Sequence, residues 1–202
     1  METAKAPITD LSQLDPEGKY TYADYLLWRF KERVELIRGR LFKMTPAPNR
    51  EHQRVAGILT GLFYSFFRRQ PCQFYPAPFD VRLPKKGQPE VYTVVQPDLC
   101  VVCDQDKLDE KGCVGAPDLV VEILSPGNTH KEMREKYEVY EESGVKEYWL
   151  VNPWDKIVLV YVLNESGIFI GLQPLTEEQT LESRQFPGLK IPLGEVFETI
   201  IK

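Results

Sequence analysis

The 202-residue sequence predicts an α/β or α+β domain with a mixed central β-sheet flanked by helices, and three observations carry that prediction. His52, Val55, Ala56, Leu59, Leu62, Phe63, Phe66 and Phe67 recur at helical spacing and make one long core helix. Pro97-Asp98-Leu99 and Pro117-Asp118-Leu119-Val120-Val121-Glu122-Ile123-Leu124 open apolar runs, the second strongly β-branched, which read as buried strands able to pair. The order helix, hairpin, helix, strands, helix, strands then places both parallel and antiparallel connections in one sheet.

Residues 1–20 are polar and contain Pro, Asp and Gly, so they read as an arm before a single domain over 21–202. A helix starts near Thr21, an N-cap with Asp24 three positions on, and takes its apolar face from Tyr22, Tyr25, Leu26 and Leu27. Val34 to Ile37 and Leu41 to Met44 flank Arg38-Gly39-Arg40 as a β-hairpin, with Glu35 in its first strand. Pro46 to Asn49 opens the long helix, and Arg68 and Arg69 lie near its C-terminal end, where cations complement the dipole. Beyond Pro71, Gln73 to Leu83 and Val91 to Val102 read as strand regions around a Pro84 to Pro89 turn, and the charged stretch Asp104 to Gly115 as a surface loop. Asn128 to Ser143 is a helix capped by Asn128 or Thr129 and ended by Gly144, with Met133, Tyr137 and Tyr140 inward. Val145 to Val151 is a strand stopped by Asn152-Pro153, followed by a strand from Ile157 to Leu163 and a short helix near Gly194 to Ile200. Tyr148 and Trp149 point to opposite faces, so one of them is expected in the core.

Composition bounds the function. Thirty acidic against 25 basic residues leave a net charge of −5, so binding to phosphates requires a local basic surface working against the overall field. Arg38, Arg40, Lys43, Arg50, Arg54, Arg68 and Arg69 are the candidates. The cysteines Cys72, Cys100, Cys103 and Cys113 are too sparse for a disulfide scaffold. Cys100 and Cys103 have C-x-x-C spacing, but on a strand they point to opposite faces and no second pair or nearby His completes a zinc site. They read as buried reduced thiols. With two histidines, His52 and His130, and neither beside a cysteine in a recognisable motif, a Cys/His hydrolase has little support. The N-terminus lacks an apolar signal core and no 18-residue apolar segment occurs, which points to a cytoplasmic, non-membrane protein.

Glu122 is the informative residue. A carboxylate inside Leu-Val-Val-Glu-Ile-Leu is costly to desolvate unless a partner, a metal or a proton neutralises it. Asp98 lies on the preceding strand, so the two carboxylates can converge on one divalent cation, as metal-assisted phosphodiester hydrolysis requires. Asp118 reads more simply as a turn cap.

The arrangement resembles the PD-(D/E)xK nuclease superfamily, and more closely its Uma-type restriction-endonuclease-like family, from about Tyr20 to Phe197. The resemblance rests on Val34-Glu35-Leu36-Ile37-Arg38-Gly39, Pro46-x-Pro48 through His52-Gln53, Gln96-Pro97-Asp98-Leu99, Gly115 through Pro126, Lys136-x-x-x-Tyr140 and Gly144 through Val151. It implies a restriction-endonuclease-like fold and a Mg²⁺ or Mn²⁺ site held by Asp98, Glu122 and the backbone carbonyl of Ile123. Lys136 is implied as the catalytic lysine. The superfamily's usual lysine lies two residues after the acid, and Leu124 stands there; in the Uma-type family a lysine from the following helix takes this place, and Lys136 matches it. Glu132, four residues earlier, shares its helical face, and as a bare pair the two would simply decorate an exposed helix. Glu35 is a candidate third acid. His52 is either a core histidine or a residue that supports the site or touches substrate. The implied function is a metal-dependent DNA endonuclease, with DNA as substrate and a homodimer or higher homo-oligomer as the form many relatives take. The alternative on the same fold is a catalytically silent nucleic-acid-binding or assembly module, which Leu124 and the acidic net charge favour.

Overall fold

The computed structural model describes residues 6–44, 49–85, 87–127 and 130–198. In chain order these form α1 (Tyr22–Tyr25), β1 (Val34–Ile37), β2 (Arg40–Lys43), α2 (Arg50–Phe67), β3 (Gln73–Pro76), β4 (Val81–Arg82), β5 (Val94–Val95), β6 (Leu99–Val102), β7 (Leu108–Asp109), β8 (Gly112–Val114) and β9 (Leu119–Ile123). There follow α3 (His130–Ser143), β10 (Glu147–Asn152), β11 (Ile157–Leu163), β12 (Phe169–Gly171), β13 (Leu175–Thr176), β14 (Thr180–Glu182), β15 (Lys190–Pro192) and α4 (Leu193–Phe197). The main sheet has the order β12-β11-β10-β9-β6-β3, with β13 paired to β11. Its neighbours run antiparallel except β9 and β10, the parallel pair that α3 connects. A second sheet runs β2-β1-β5-β4-β8-β7, and β14 pairs β15 as a separate ribbon.

Period-two alternation divides the core. Leu99, Val101, Leu119, Val121, Ile123, Trp149 and Val151 face the α2 stripe of Val55, Leu59, Phe63 and Phe67. Their sheet neighbours Cys100, Val102, Val120, Tyr148 and Leu150 face Val139 and Tyr140 of α3 together with Ile37, Val81 and Val95 of the second sheet. Covered on both faces, the central strands are apolar at nearly every position, which is why both Tyr148 and Trp149 are buried where only one was expected to be core. Each fully buried Phe or Leu of the α2 stripe contributes about 1.5–3 kcal/mol.

The hairpin turn forms as the sequence predicts: Arg38 (φ 53°) and Gly39 (φ 83°) both take the left-handed conformation of a type I′ turn. Thr21 and Asp24 form the predicted capping box, although α1 stops after four residues. Other expectations need correction. Gln73 to Leu83 is interrupted at the cis Ala77-Pro78 bond, and Val91 to Val102 at Gln96-Pro97-Asp98, so each region sends its two halves to different sheets. The expected loop from Asp104 to Gly115 contains the β7–β8 hairpin with Cys113 fully buried. Cys103 is bonded to Cys72, because the β3–β6 register pairs Gln73 with Val102 and so sets residues 72 and 103 opposite each other one step on. Cys100 and Cys113 are the buried free thiols. The proposed caps Asn128 and Thr129, the Pro46-x-Pro48 stretch and Ile200 lie outside the described residues. Among the described residues no helix is long and apolar enough to cross a membrane.

A buried carboxylate not anticipated from sequence ties the C-terminal segment to the sheet. Glu147 is fully buried; it accepts from Trp149 Nε1, Ser183 Oγ and the Gln185 backbone N–H, each at 2.7 Å. Glu147→Ala leaves these buried donors unsatisfied and is expected to cost about 3 kcal/mol, read as a lowered denaturation midpoint with a change in Trp149 emission. An unchanged midpoint would show that the segment docks without this carboxylate.

Candidate active site

The β6–β9 ladder positions the two acids. Its last pair is Leu99 with Val121, so one step outward Asp98 lies opposite Glu122 at the end of the strands. Asp98 sits in a bend where the strands diverge, and its Oδ2 accepts the Ile123 backbone N–H at 2.7 Å. In an extended strand the N–H and C=O of one residue point to the same side, so the Ile123 carbonyl also faces the Asp98 side. His52, the third helical residue of α2, places Nε2 at 3.2 Å from the Asp98 carboxylate. An ionised carboxylate only accepts, so His52 donates through Nε2. Its Nδ1 is buried and has no hydrogen-bond partner among the described residues.

Glu122 shares its face of β9 with Val120 and therefore faces α3. There Lys136, six residues into the helix and 6% exposed, puts Nζ at 3.0 Å from Oε1 of both Glu122 and Glu35. Tyr140, one helical turn on, donates its hydroxyl to the same Glu122 Oε1 at 2.6 Å. Glu35, in β1 and 1% exposed, also accepts the Gln96 backbone N–H at 2.8 Å. Leu124 packs with the apolar residues on the α3 side of the sheet. Glu132 is half-buried one turn before Lys136, and its charge acts on that ammonium. The structure thus brings together Asp98, Glu122, Ile123, Lys136, Glu35 and His52, with Glu132 at the margin.

Three carboxylates and one ammonium give this cluster a formal charge of −2, largely out of water. Burial pushes the Glu122 carboxyl up to about 8; Lys136 opposes that shift, the nearby Asp98 and Glu35 charges add to it, and the Tyr140 hydrogen bond opposes it. Burial alone would drag the Lys136 ammonium down, but Glu122 and Glu35 outweigh it and hold the ammonium well above the usual lysine range. One ammonium cannot compensate two buried carboxylates, so Lys136 stays charged while Glu122 keeps a proton to unusually high pH. Tyr140 is held protonated by burial and by Glu122, and remains a donor.

Among the described residues no three His, Cys, Asp or Glu side chains gather into a ready metal cage. The donor set of two facing carboxylates and a backbone carbonyl, in a cluster that lacks two positive charges, fits a Mg²⁺-type ion that keeps several waters. Asp118 serves as a structural acceptor, taking the Cys103 N–H at 2.8 Å and Lys146 Nζ at 2.7 Å. Most of the anticipated phosphate-binding cations are engaged elsewhere. Arg38 binds Glu135, Glu138 and Glu142; Arg40 binds Glu17; Lys43 binds Glu32; Arg54 binds Glu51 and the carbonyls that end α4. Tyr140 and Gln96 belong to the site although sequence reasoning did not place them there. The i+4 spacing of Tyr140 from Lys136 was the available signal.

The family model described as "Uma2: Putative restriction endonuclease" matches residues 22–194. An uncharacterized protein of Synechocystis sp. is 25% identical over 172 residues, 84% of this chain and 84% of that protein. The crystal structure of a putative nuclease belonging to DUF820 from Anabaena variabilis is similar at a TM-score of 0.69 and 18% identity, over 88% of this chain and 97% of that one. That likeness fixes the restriction-endonuclease-like fold, and the family match fixes the lineage: the chain belongs to the Uma2 family of restriction-endonuclease-like proteins.

Proposed function

We propose that the protein is a Mg²⁺- or Mn²⁺-dependent DNA phosphodiesterase, an endonuclease acting at the end of strands β6 and β9. The observation that carries this reading is the buried Lys136 ammonium bonded to Glu122 and Glu35, beside the facing Asp98. It supplies from α3 the cation that Leu124 cannot supply from the strand. Asp98, Glu122 and the Ile123 carbonyl would hold the metal, which on binding polarises a phosphate and lowers the pKa of a bound water. Lys136 stands ready to stabilise charge developing on the phosphoryl oxygens, in a water-poor setting where such stabilisation is strong. His52 and the Ile123 N–H orient Asp98, Tyr140 orients Glu122, and the Gln96 N–H orients Glu35, so the charged groups need little rearrangement as reaction proceeds.

A second reading is favoured by the mutual pairing of Lys136 with Glu35 and Glu122, which a catalytically silent scaffold would keep as a structural ion cluster. Metal binding separates the two, since a silent scaffold need bind no cation.

The wild type is expected to cleave plasmid or oligonucleotide DNA in Mn²⁺ or Mg²⁺ and to stop in EDTA. Asp98→Asn is expected to abolish cleavage with the fold intact, and Lys136→Met to lower the rate at least about 10²-fold while Mn²⁺ still binds. Cleavage by Asp98→Asn at the wild-type rate would refute the assignment.

The raised Glu122 carboxyl sets a pH dependence. Its folded pKa exceeds the unfolded value, so its contribution to stability is fully present below about pH 4.5 and is lost as pH rises toward about 8. A divalent cation must displace this proton, so the rise in melting temperature on adding Mn²⁺ is expected to be larger at about pH 8.5 than at about pH 6. Glu122→Gln should remove the difference; a Mn²⁺ effect independent of pH in the wild type would place the cation elsewhere.

A further inference from the structure

The proposed chemistry leaves unused a groove beside Asp98, formed between the N-terminal aromatic cluster and the segment that leads into β6. This cavity of about 400 Å³ has Tyr25, Trp28, Phe30 and Pro78 on its apolar side and Arg29 and Arg33 at its charged edge. Tyr25 and Phe30 are half-buried, and both arginines are exposed. Arg29 donates to the backbone carbonyls of Leu26 and Trp28, and Arg33 to Gln96 Oε1. Unlike Arg38, Arg40 and Arg54, neither pairs with a carboxylate among the described residues, so both keep an unneutralised charge. Glu32, the acid in the lining, lies 3.6 Å from Lys43, an exposed pair that leaves the two arginines in excess of the one acid at the groove.

Each lining segment leads directly to the site. Arg33 stands two residues before Glu35. Gln96, also in the lining, stands two residues before Asp98 and donates its N–H to Glu35. Ala77, next to Pro78, donates its N–H to the Asp98 carbonyl at 2.9 Å. Two residues of chain span at most about 7 Å, so the backbone of the lining residues Arg33 and Gln96 lies within about one nucleotide step of the backbone of Glu35 and Asp98.

We infer that this groove is a subsite for an unpaired nucleotide next to the scissile phosphate, which makes the substrate class DNA that is single-stranded or distorted at the cut. The inference rests on the nuclease reading. Ring faces in such a groove stack a base irrespective of its identity, and guanidinium groups at the edge bind the flanking phosphate. A base inside an intact duplex keeps both faces stacked and cannot enter without being turned out. With a net charge of −5 the chain cannot draw DNA by its overall field, so a local subsite of this kind is where affinity must come from.

The test is fluorescence anisotropy in EDTA with a short labelled single strand and a blunt duplex of the same sequence. The proteins are wild type, Arg29→Ala and Phe30→Leu, with melting temperatures confirming that the variants fold. The wild type is expected to bind the single strand more tightly than the duplex. Each variant should weaken single-strand binding about tenfold and leave duplex binding unchanged, and Arg29→Ala should also lower the salt slope by about one ion. Equal binding of both DNAs, or variants that bind the single strand like wild type, would overturn the subsite. Cleavage by the wild type in Mn²⁺ separates the two claims: cutting without strand preference would retain the nuclease and overturn the subsite. Variant-sensitive single-strand binding with no cutting would overturn the nuclease reading and retain the groove.

Discussion

The ammonium of Lys136, buried between Glu122 of the main sheet and Glu35 of the second sheet, is the interaction on which the candidate site depends. It joins three elements distant in sequence: β1, β9 and α3. Removing one partner from a buried ion pair typically costs about 3–5 kcal/mol, because the remaining charge is left without compensation. With all three carboxylates ionised, this single ammonium leaves the cluster two positive charges short of neutrality; burial above all, reinforced by the Asp98 and Glu35 charges, pushes the Glu122 carboxyl up to about 8. A buried ion cluster of this kind adds little to stability over well-packed apolar residues, and it suits the divalent-cation site proposed here.

The scaffold concentrates further polarity at that end of the sheet. Because α3 connects the parallel strands β9 and β10, it begins at the C-terminal end of β9, where Glu122 and Ile123 lie. The α2 helix also begins there, with Asn49 capping it through the His52 N–H at 2.9 Å and His52 touching Asp98. The α2 helix thus presents its positive dipole end to Asp98, an arrangement suited to an anionic side chain, whereas α3 meets Glu122 through Lys136 and Tyr140 farther along its length. Glu147 performs a different task toward the opposite end of the parallel pair, fastening the C-terminal segment with three hydrogen bonds.

Much of this was legible in the sequence because periodicity and isolation are strong signals. The stripe Val55, Leu59, Phe63 and Phe67 announced α2, and a lone acid amid β-branched residues announced Glu122. Asp98 could be tied to Glu122 because each belongs to an apolar run opened by a Pro-Asp pair, Pro97-Asp98 and Pro117-Asp118. Lys136 was harder: beside Glu132 it has the pattern of an ordinary exposed i,i+4 pair, and the family resemblance, rather than spacing, drew attention to it. Local pattern could not reveal what the second sheet covers. That sheet buries Glu35, completes the ion cluster and makes the charged stretch 104–115 part of the core through Cys113. The Cys72–Cys103 bond likewise depends on the register of β3 against β6, which no spacing within Cys100-x-x-Cys103 encodes. Glu147 reads in sequence simply as part of the strand from Val145 to Val151, and the donors Trp149 Nε1, Ser183 Oγ and the Gln185 N–H explain why a carboxylate is tolerated there.

On the function proposed here, Asp98, Glu122 and the Ile123 carbonyl together hold a divalent cation beside Lys136. Anomalous diffraction from crystals soaked in Mn²⁺ tests it most directly. One strong manganese peak is expected within coordinating distance of both carboxylates and the Ile123 oxygen, with Lys136 retained at Glu122. A well-diffracting, Mn²⁺-saturated crystal with no peak there, or with manganese bound only at another part of the chain, would contradict it.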